Sequence, residues 1–161
     1  MLIRRARAEE TAAVGELTLA AYVADGLLGP QDWYARQLQA ADRRAAEAEL
    51  YVATAAEDRT LLGTVTFCEP RSPWAELAVD GEAEFRMLAV ARGRGVGAAL
   101  AEHCIGRAVE SGGRALVLSS HPDMHAAHRL YARLGFRRTP ERDWQPGPTV
   151  TLWAYRLELT A

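Results

Sequence analysis

The sequence predicts an α/β fold of the mixed α+β kind, and two observations carry that prediction. Segments with strand-like alternation and segments with helical spacing follow one another along the chain, with no long linker between them. A strand pattern over residues 82–90 also runs directly into a glycine-rich turn and then into a helical pattern. At 161 residues the chain is expected to form one domain over residues 1–161, long enough to bury a sizeable core.

Hydrophobic periodicity defines the elements in the first half of the chain. Apolar residues at helical spacing predict a helix over residues 9–24, and a second, alanine-rich helix over residues 31–49 follows a break at residues 26–30. Strand-like runs on either side of Glu57 predict a hairpin. The predicted strands are residues 2–7, 50–55 and 60–68, and the proline-containing residues 69–81 are expected to form a loop.

Glycine and proline delimit the elements in the second half. Gly112 and Gly113 follow a helix predicted over residues 95–111, since glycine is common just past a helix C-terminus. Pro122 fits the first turn of a helix predicted over residues 121–134, with Ser120 or His121 as the capping residue. The predicted strands are residues 82–90, 114–119, 136–139 and 149–159, and a loop through Trp144 joins the last two.

Composition and charge restrict the function classes. The formal net charge is −2, so no strong overall field attracts the chain to nucleic acid or to a membrane surface. No apolar run approaches the roughly 20 residues that a membrane-spanning helix needs, and the start lacks a secretory signal. Cys68 and Cys104 form no C-x-x-C pair and are expected to be free thiols in a reducing compartment. We therefore expect a cytoplasmic protein with no nucleic-acid or membrane partner, as a monomer or homodimer.

The glycine-rich turn Arg92-Gly-Arg-Gly-Val-Gly97 predicts a site for a phosphate-bearing ligand. Glycines allow the backbone to approach a ligand closely, and the unpaired N–H groups at a helix start favour an anion. A nucleoside-triphosphate loop is excluded, because Ala98 and Ala99 follow Gly97 where that loop needs Lys and then Ser or Thr.

A dinucleotide fingerprint is a weaker alternative for the same turn. Its glycine pattern can be placed over Gly93, Gly95 and Ala98. That fingerprint needs a carboxylate roughly 20 residues further on, at the end of the next strand. The next predicted strand ends in Ser119-Ser120-His121 instead.

A third interpretation takes the turn as R-x-x-G-x-G with Arg92, Gly95 and Gly97 as its fixed members. Leu88-Ala-Val90 precedes it, and Leu130-Tyr-Ala-Arg-Leu-Gly-Phe136 follows. Together these segments resemble the coenzyme A site of the GNAT N-acetyltransferase superfamily over about residues 82–138. The resemblance implies a mostly antiparallel mixed sheet of about six or seven strands, about four flanking helices and a splayed strand pair at the cofactor site. It also implies direct transfer of an acetyl group from acetyl-CoA to an amine, or else a catalytically inactive acyl-CoA-binding sensor.

The resemblance also implies which residues hold the coenzyme. Backbone groups of the strand end would pair with the pantetheine arm, and the turn and helix start would hold the pyrophosphate. The implied cofactor-binding residues are Leu88, Ala89, Val90, Arg92, Gly93, Arg94, Gly95, Val96, Gly97, Ala98 and His125. Two positions depart from the family pattern: only Ala91 separates Val90 from Arg92, and Met124 replaces a common asparagine.

Two residues are candidates for proton transfer. By the same resemblance, Tyr131 is the general acid for the departing thiolate, although it also fits an apolar helical stripe with Leu130 and Leu134. Glu84 is the candidate general base through water, with Glu82 as a nearby substitute. Strand alternation is expected to place Glu84 and Arg86 on one face with Leu88 and Val90. An ion pair with Arg86 is the competing role for Glu84.

Histidines cluster at the second predicted helix start, His121, His125 and His128. Their spacing allows a shared helix face, but no fourth ligand is evident, so no metal site is expected. The acceptor is expected to be a small-molecule or peptide amine, because aromatic side chains and carboxylates suit a cation. The candidate acceptor residues are Tyr22, Asp25, Trp33, Tyr34, Glu141, Asp143 and Trp144.

Overall fold

The computed structural model describes residues 1–26, 33–91, 93–148 and 150–159. Five α-helices occur in these ranges: α1 (Thr11–Ala24), α2 (Trp33–Gln39), α3 (Ala41–Glu47), α4 (Val96–Glu110) and α5 (His125–Arg133). Eight strands accompany them: β1 (Leu2–Arg5), β2 (Glu49–Thr54), β3 (Leu61–Cys68), β4 (Glu82–Val90), β5 (Ala115–Ser120), β6 (Arg137–Arg138), β7 (Trp144–Gly147) and β8 (Val150–Glu158). Single 3₁₀ turns span Ala8–Glu10 and Pro140–Arg142. No helix in the described ranges has the length and apolar character needed to cross a bilayer.

The strands form a mixed sheet in the order β1-β2-β3-β4-β5-β8-β6, with β7 paired to β8. Among the described strands β4 and β5 are the only parallel neighbours. They pair only where Glu82–Glu84 meets Ala115–Val117, although β4 continues to Val90 and β5 to Ser120. The two strands therefore separate, which confirms the predicted mixed, mostly antiparallel sheet with a splayed pair.

A β-bulge interrupts β4 just before the strand ends. Met87 has a left-handed φ of 56°, and the pairing with β3 shifts between Thr64, opposite Ala89, and Thr66, opposite Arg86. The expected grouping of Glu84, Arg86, Leu88 and Val90 on one face is wrong, because the extra residue reverses the alternation. Leu88 packs against the same core cluster as Phe85. Met87 instead lines a cavity with Glu84 and Arg86.

Three predicted boundaries also differ from the structure. The second predicted helix divides into α2 and α3 at Ala40, whose ψ of 51° is not helical. Arg44 donates to the carbonyls of Gln37 and Leu38 and so satisfies the end of α2. Helix α5 begins at His125 with Met124 as its N-cap, so capping by Ser120 or His121 is wrong. Residues 144–147, predicted as loop, pair with β8.

The main core lies between the sheet and helices α4 and α5. The stripe of Leu100, Cys104 and Ala108 on α4 is fully buried against it, as the helical spacing predicted. A smaller cluster holds α1 and α3 on the sheet through Val14 and Ala41. Both layers meet β4, and this arrangement places the end of β4 between α1, α4 and α5.

Candidate active site at the splayed strands

A first cavity of about 460 Å³ opens where β4 leaves β5. Its walls come from the end of α1, from Leu88–Val90 of β4, from Gly97 at the start of α4, and from residues 123–127 before and within α5. Tyr131 completes the wall from α5. Three of the predicted cofactor segments therefore meet at one cavity.

The backbone of β4 along this cavity has hydrogen-bonding groups to offer. On one side Ala89 and Val90 pair with β3. On the other side the pairing with β5 ends at Glu84, so the following backbone groups face the gap between the strands. Backbone N–H and C=O groups need partners when water is excluded, so an extended ligand arm can add to this strand edge.

The anion site was predicted at the start of α4. Gly95 is the N-cap, with a left-handed φ of 73° that a side chain would oppose, and the first-turn N–H groups of Val96, Gly97 and Ala98 lack intrahelical partners. A Cβ on Gly97 would sit 3.6 Å from Leu130 Cδ2 and 3.7 Å from Val90 Cγ2, two residues of the cavity wall. Because glycine has no side chain, residue 97 leaves this end of the cavity open.

The other residues predicted to bind the pyrophosphate do not all lie at the cavity wall. Val96 is buried in the core, so it can offer only its backbone. Arg94 is exposed beside Gly93, and neither they nor Ala98 line the cavity. Arg92 lies outside the described residues. His125, which was predicted to bind the cofactor, lines the cavity from the first turn of α5.

Tyr131 is both a core residue and a wall of the cavity. Its ring packs 5.7–5.9 Å, centroid to centroid, from Tyr155, Phe136 and Phe85, and the residue is 4% exposed. Within the described ranges its hydroxyl has no hydrogen-bond partner. Burial raises the pKa of the phenol, so it keeps its proton at neutral pH. The hydroxyl is therefore an uncommitted donor in an apolar wall.

His121 and His128 of the histidine cluster form hydrogen bonds and ring contacts with neighbouring groups of the protein. His128 Nε2 lies 3.0 Å from Ser120 Oγ and 3.1 Å from the carbonyl oxygen of His121, and its ring stacks on Trp153. His121 Nδ1 accepts a hydrogen bond from the N–H of Asp123. In the part of the chain that the structure describes, no group of His, Cys, Asp and Glu side chains is placed to hold a metal ion.

A second cavity of about 320 Å³ adjoins the first, because Tyr22 and Met124 line both. Tyr22, Tyr34 and Trp144, three of the residues predicted for the acceptor, line it. Its charged residues are Glu76, Glu84 and Arg86.

Glu84 is fully buried in the wall of the second cavity. Its Oε1 accepts three backbone N–H groups, from Glu76, Leu77 and Ala78, at 2.8–3.0 Å. Its Oε2 is also buried and has no partner among the described residues. Burial raises the pKa of Glu84, and the backbone donors and Arg86 oppose part of that rise. The carboxyl group thus combines a raised pKa with one uncommitted oxygen.

Arg86 does not form the ion pair with Glu84 that was considered from sequence. Its NH2 group lies 2.7 Å from Glu76 Oε1 and donates to the hydroxyl of Tyr34 at 3.3 Å. Its NH1 group donates to the carbonyl of Trp74 at 3.0 Å. The segment before β4 folds back over the strand and supplies Glu76 and Trp74, whereas Tyr34 comes from α2. Glu82, the substitute base, is itself held by Arg142 and Arg156.

Glu76 was not among the predicted residues, and three acidic residues predicted for the acceptor do not line the second cavity. Nothing in the spacing of residues 69–81 indicates that Glu76 forms an ion pair with Arg86. Asp143 forms an ion pair with Arg138 at 2.8 Å, Glu141 is exposed, and Asp25 lines the first cavity instead of the second. The side chain of Trp33 lies outside the described residues.

Solved structures share this fold over nearly the whole chain. A GNAT-family acetyltransferase from Staphylococcus aureus Mu50 superposes with a TM-score of 0.75 at 14% identity, covering 99% of both chains. A GCN5-related N-acetyltransferase from Kribbella flavida gives 0.69 at 24% identity, over 98% of this chain and 97% of that one. The putative acetyltransferase yncA from Salmonella typhimurium, solved with its cofactor acetyl-CoA, gives 0.68 at 22% identity, over 100% and 95%.

Sequence comparison places the chain in a family. A comparison with curated proteins finds no match. The model of the acetyltransferase (GNAT) family matches residues 14–136, which include the splayed strand, the glycine-rich turn and Tyr131. The chain therefore belongs to the acetyltransferase (GNAT) family and is an acetyl-CoA-dependent N-acetyltransferase.

Proposed function

We propose that the chain, as a single cytoplasmic domain, moves an acetyl group directly from acetyl-CoA to a primary amine across the junction of the two cavities. The observation that carries this proposal is that the cavities meet at Tyr22 and Met124, beside Tyr131. A thioester in the first cavity and an amine in the second would approach each other there. Holding two reactants in such a geometry supplies a large part of the rate.

The first cavity is assigned to the coenzyme. Unpaired backbone groups of Leu88, Ala89 and Val90 would hold the pantetheine arm, and one N–H can donate to the thioester oxygen as negative charge develops there. The first-turn N–H groups of α4 would hold the pyrophosphate, with Arg92 and Arg94 adding charge-assisted bonds. His125 would border the coenzyme from α5.

The proton transfers are assigned to Tyr131 and Glu84. The amine nitrogen forms a bond to the acetyl carbon while the carbon–sulfur bond breaks. Tyr131 donates its proton to the departing thiolate, and Glu84 receives the proton of the amine through water. The raised pKa of Glu84 suits a proton acceptor near neutral pH.

The burial of both cysteines supports direct transfer, because neither thiol is accessible to form an acetyl-enzyme. Cys68 and Cys104 are both fully buried, and burial raises the pKa of each, that of Cys68 to about 12. Neither residue lines the first or the second cavity.

A thiol-release assay with acetyl-CoA and a panel of primary amines tests the proposal, with mass spectrometry of the acetylated amine as the second readout. The chain contains no lysine, so acetylation of its own lysine side chains cannot account for released thiol. We expect saturable turnover with at least one amine. Saturable coenzyme binding with no turnover on any amine would instead support the sensor function.

A further inference from the structure

Two glutamates and one arginine line the second cavity among the described residues. Glu76 and Arg86 form an ion pair at 2.7 Å, which leaves Glu84 as the uncompensated carboxyl group in the wall. Arg86 is the only arginine that lines the cavity in the described part of the chain.

Three of the five N–H donors of Arg86 are already engaged. Glu76, the hydroxyl of Tyr34 and the carbonyl of Trp74 accept from its two terminal nitrogens, and the guanidinium lies over the Trp74 ring at 5.8 Å. A bidentate bond from arginine to a ligand carboxylate needs two free donors in one plane. To form such a bidentate bond, a carboxylate entering the cavity would have to break this arrangement in the presence of two glutamates.

His121 at the cavity wall is held by its own turn. Its Nδ1 accepts a hydrogen bond from the N–H of Asp123 and lies 3.8 Å from Asp123 Oδ2. Gln37 and Ser119 add polar groups to the wall, and the other lining residues are apolar or aromatic, with Tyr22, Trp144 and Leu152 among them. Aromatic faces attract cations as well as apolar groups.

We propose that the acceptor is a small, singly charged primary amine on an aromatic or apolar body, with no carboxylate beside the amine. The inference rests on the proposed function and narrows the acceptor that it leaves open. The cavity of about 320 Å³ is at the lower end of the range of about 300–1,000 Å³ for ligand sites. Free α-amino acids are the class that this cavity rejects, because their carboxylate would meet like charge without a free cation.

Matched acceptors that differ only at the carboxylate test this selectivity. Phenethylamine, phenylalaninamide and phenylalanine present the same ring and a primary amine, and only the last carries a carboxylate. We expect kcat/KM for the first two to exceed that for phenylalanine by about 100-fold or more. Equal or preferred turnover of phenylalanine would overturn the inference alone. No turnover of any amine, with acetyl-CoA bound, would overturn the proposed function as well.

The variant Glu76→Gln tests the role of the ion pair. It removes the charge that neutralises Arg86, so we expect the preference for phenylalaninamide over phenylalanine to shrink by about tenfold with KM for acetyl-CoA unchanged. Glu69→Gln is the matched control, since Glu69 begins the same loop but pairs with Arg107. Unchanged selectivity in Glu76→Gln, or an equal change in Glu69→Gln, would contradict the assigned role of Arg86.

Discussion

The Tyr131 ring belongs to the core, and its hydroxyl has no partner in the described structure. Its three aromatic neighbours explain why the ring is buried but give no reason for a hydroxyl at this position. An unpaired hydroxyl in an apolar wall costs stability, so phenylalanine would pack there at least as well. A donor at the cavity wall gives that hydroxyl a role.

Tyr131→Phe separates these two roles. We expect kcat to fall about 100-fold, because one positioned proton donor is lost, while KM for acetyl-CoA stays the same. Tyr155→Phe is the control, since it removes another buried phenol hydroxyl 5.7 Å away by ring centroids and does not line the first cavity. Equal kcat values for Tyr131→Phe and the wild type would remove Tyr131 from the mechanism.

Glu84→Gln tests the proton acceptor through the pH dependence of the rate. An oxygen remains to accept the three backbone N–H groups, so we expect the fold to be kept. Wild-type kcat/KM should decline as the pH falls through the raised pKa of Glu84, because the base is then protonated. We expect the variant to be slower near neutral pH and to lack this decline. Superimposable pH–rate profiles would assign the base to another group.

The same pKa shift predicts a stability difference. Because the folded-state pKa of Glu84 is raised, its contribution to folding is greatest below the ordinary glutamate pKa and is lost as pH rises through the folded value. The melting temperature of Glu84→Gln relative to the wild type should therefore increase with pH over that interval. A constant difference would show that Glu84 titrates in the folded state as it does in the unfolded chain.

At the scale of elements, the end of β4 determines which of its side chains line each cavity. The strand limits, Glu82–Val90, are those predicted, since the alternating sequence between Gly81 and the glycine-rich turn leaves little choice. The bulge at Met87 could not be predicted, because it depends on the pairing with β3 and not on the local pattern. It directs Met87 toward the second cavity and Leu88 toward the core beside the first, so that one strand borders both.

Gly97→Ala tests the assignment of the first turn of α4. The new Cβ would make ordinary contacts of 3.6 and 3.7 Å with Leu130 and Val90, so the fold should tolerate it. Alanine also favours a helix over glycine by up to about 1 kcal/mol, and the melting temperature of the free protein should not fall. Since the methyl group occupies the cavity, we expect KM for acetyl-CoA to rise about tenfold or more, equivalent to about 1.4 kcal/mol of binding.

Gly106→Ala is the matched control for this helix. Gly106 lies on α4 with no atom within 4 Å of its added Cβ, so the helix gains the same propensity without touching the cavity. We expect unchanged KM for acetyl-CoA in this variant. The same rise in KM for both variants would place the effect in the helix and not in the site.

At the scale of the whole molecule, local sequence patterns predicted the helices and strands better than they predicted which residues come into contact. The strand over residues 82–90, the glycine-rich turn and Tyr131 follow one another along the chain, so their order could be taken directly from the sequence. Glu76 reaches Arg86 only because the segment before β4 folds back, and Asp143 is held by Arg138, so acceptor residues could not be chosen from charge alone. Tertiary folding, and not spacing, decides which carboxylates face the second cavity.

The central claim is that the cavity at the splayed strands binds acetyl-CoA as the acetyl donor. Thermal unfolding of the wild type with millimolar acetyl-CoA, and separately with millimolar NAD, tests it most directly, because only a ligand that binds the folded state raises the melting temperature. We predict a saturable, concentration-dependent increase with acetyl-CoA and none with NAD. No increase with acetyl-CoA, or an increase with NAD alone, would contradict the account.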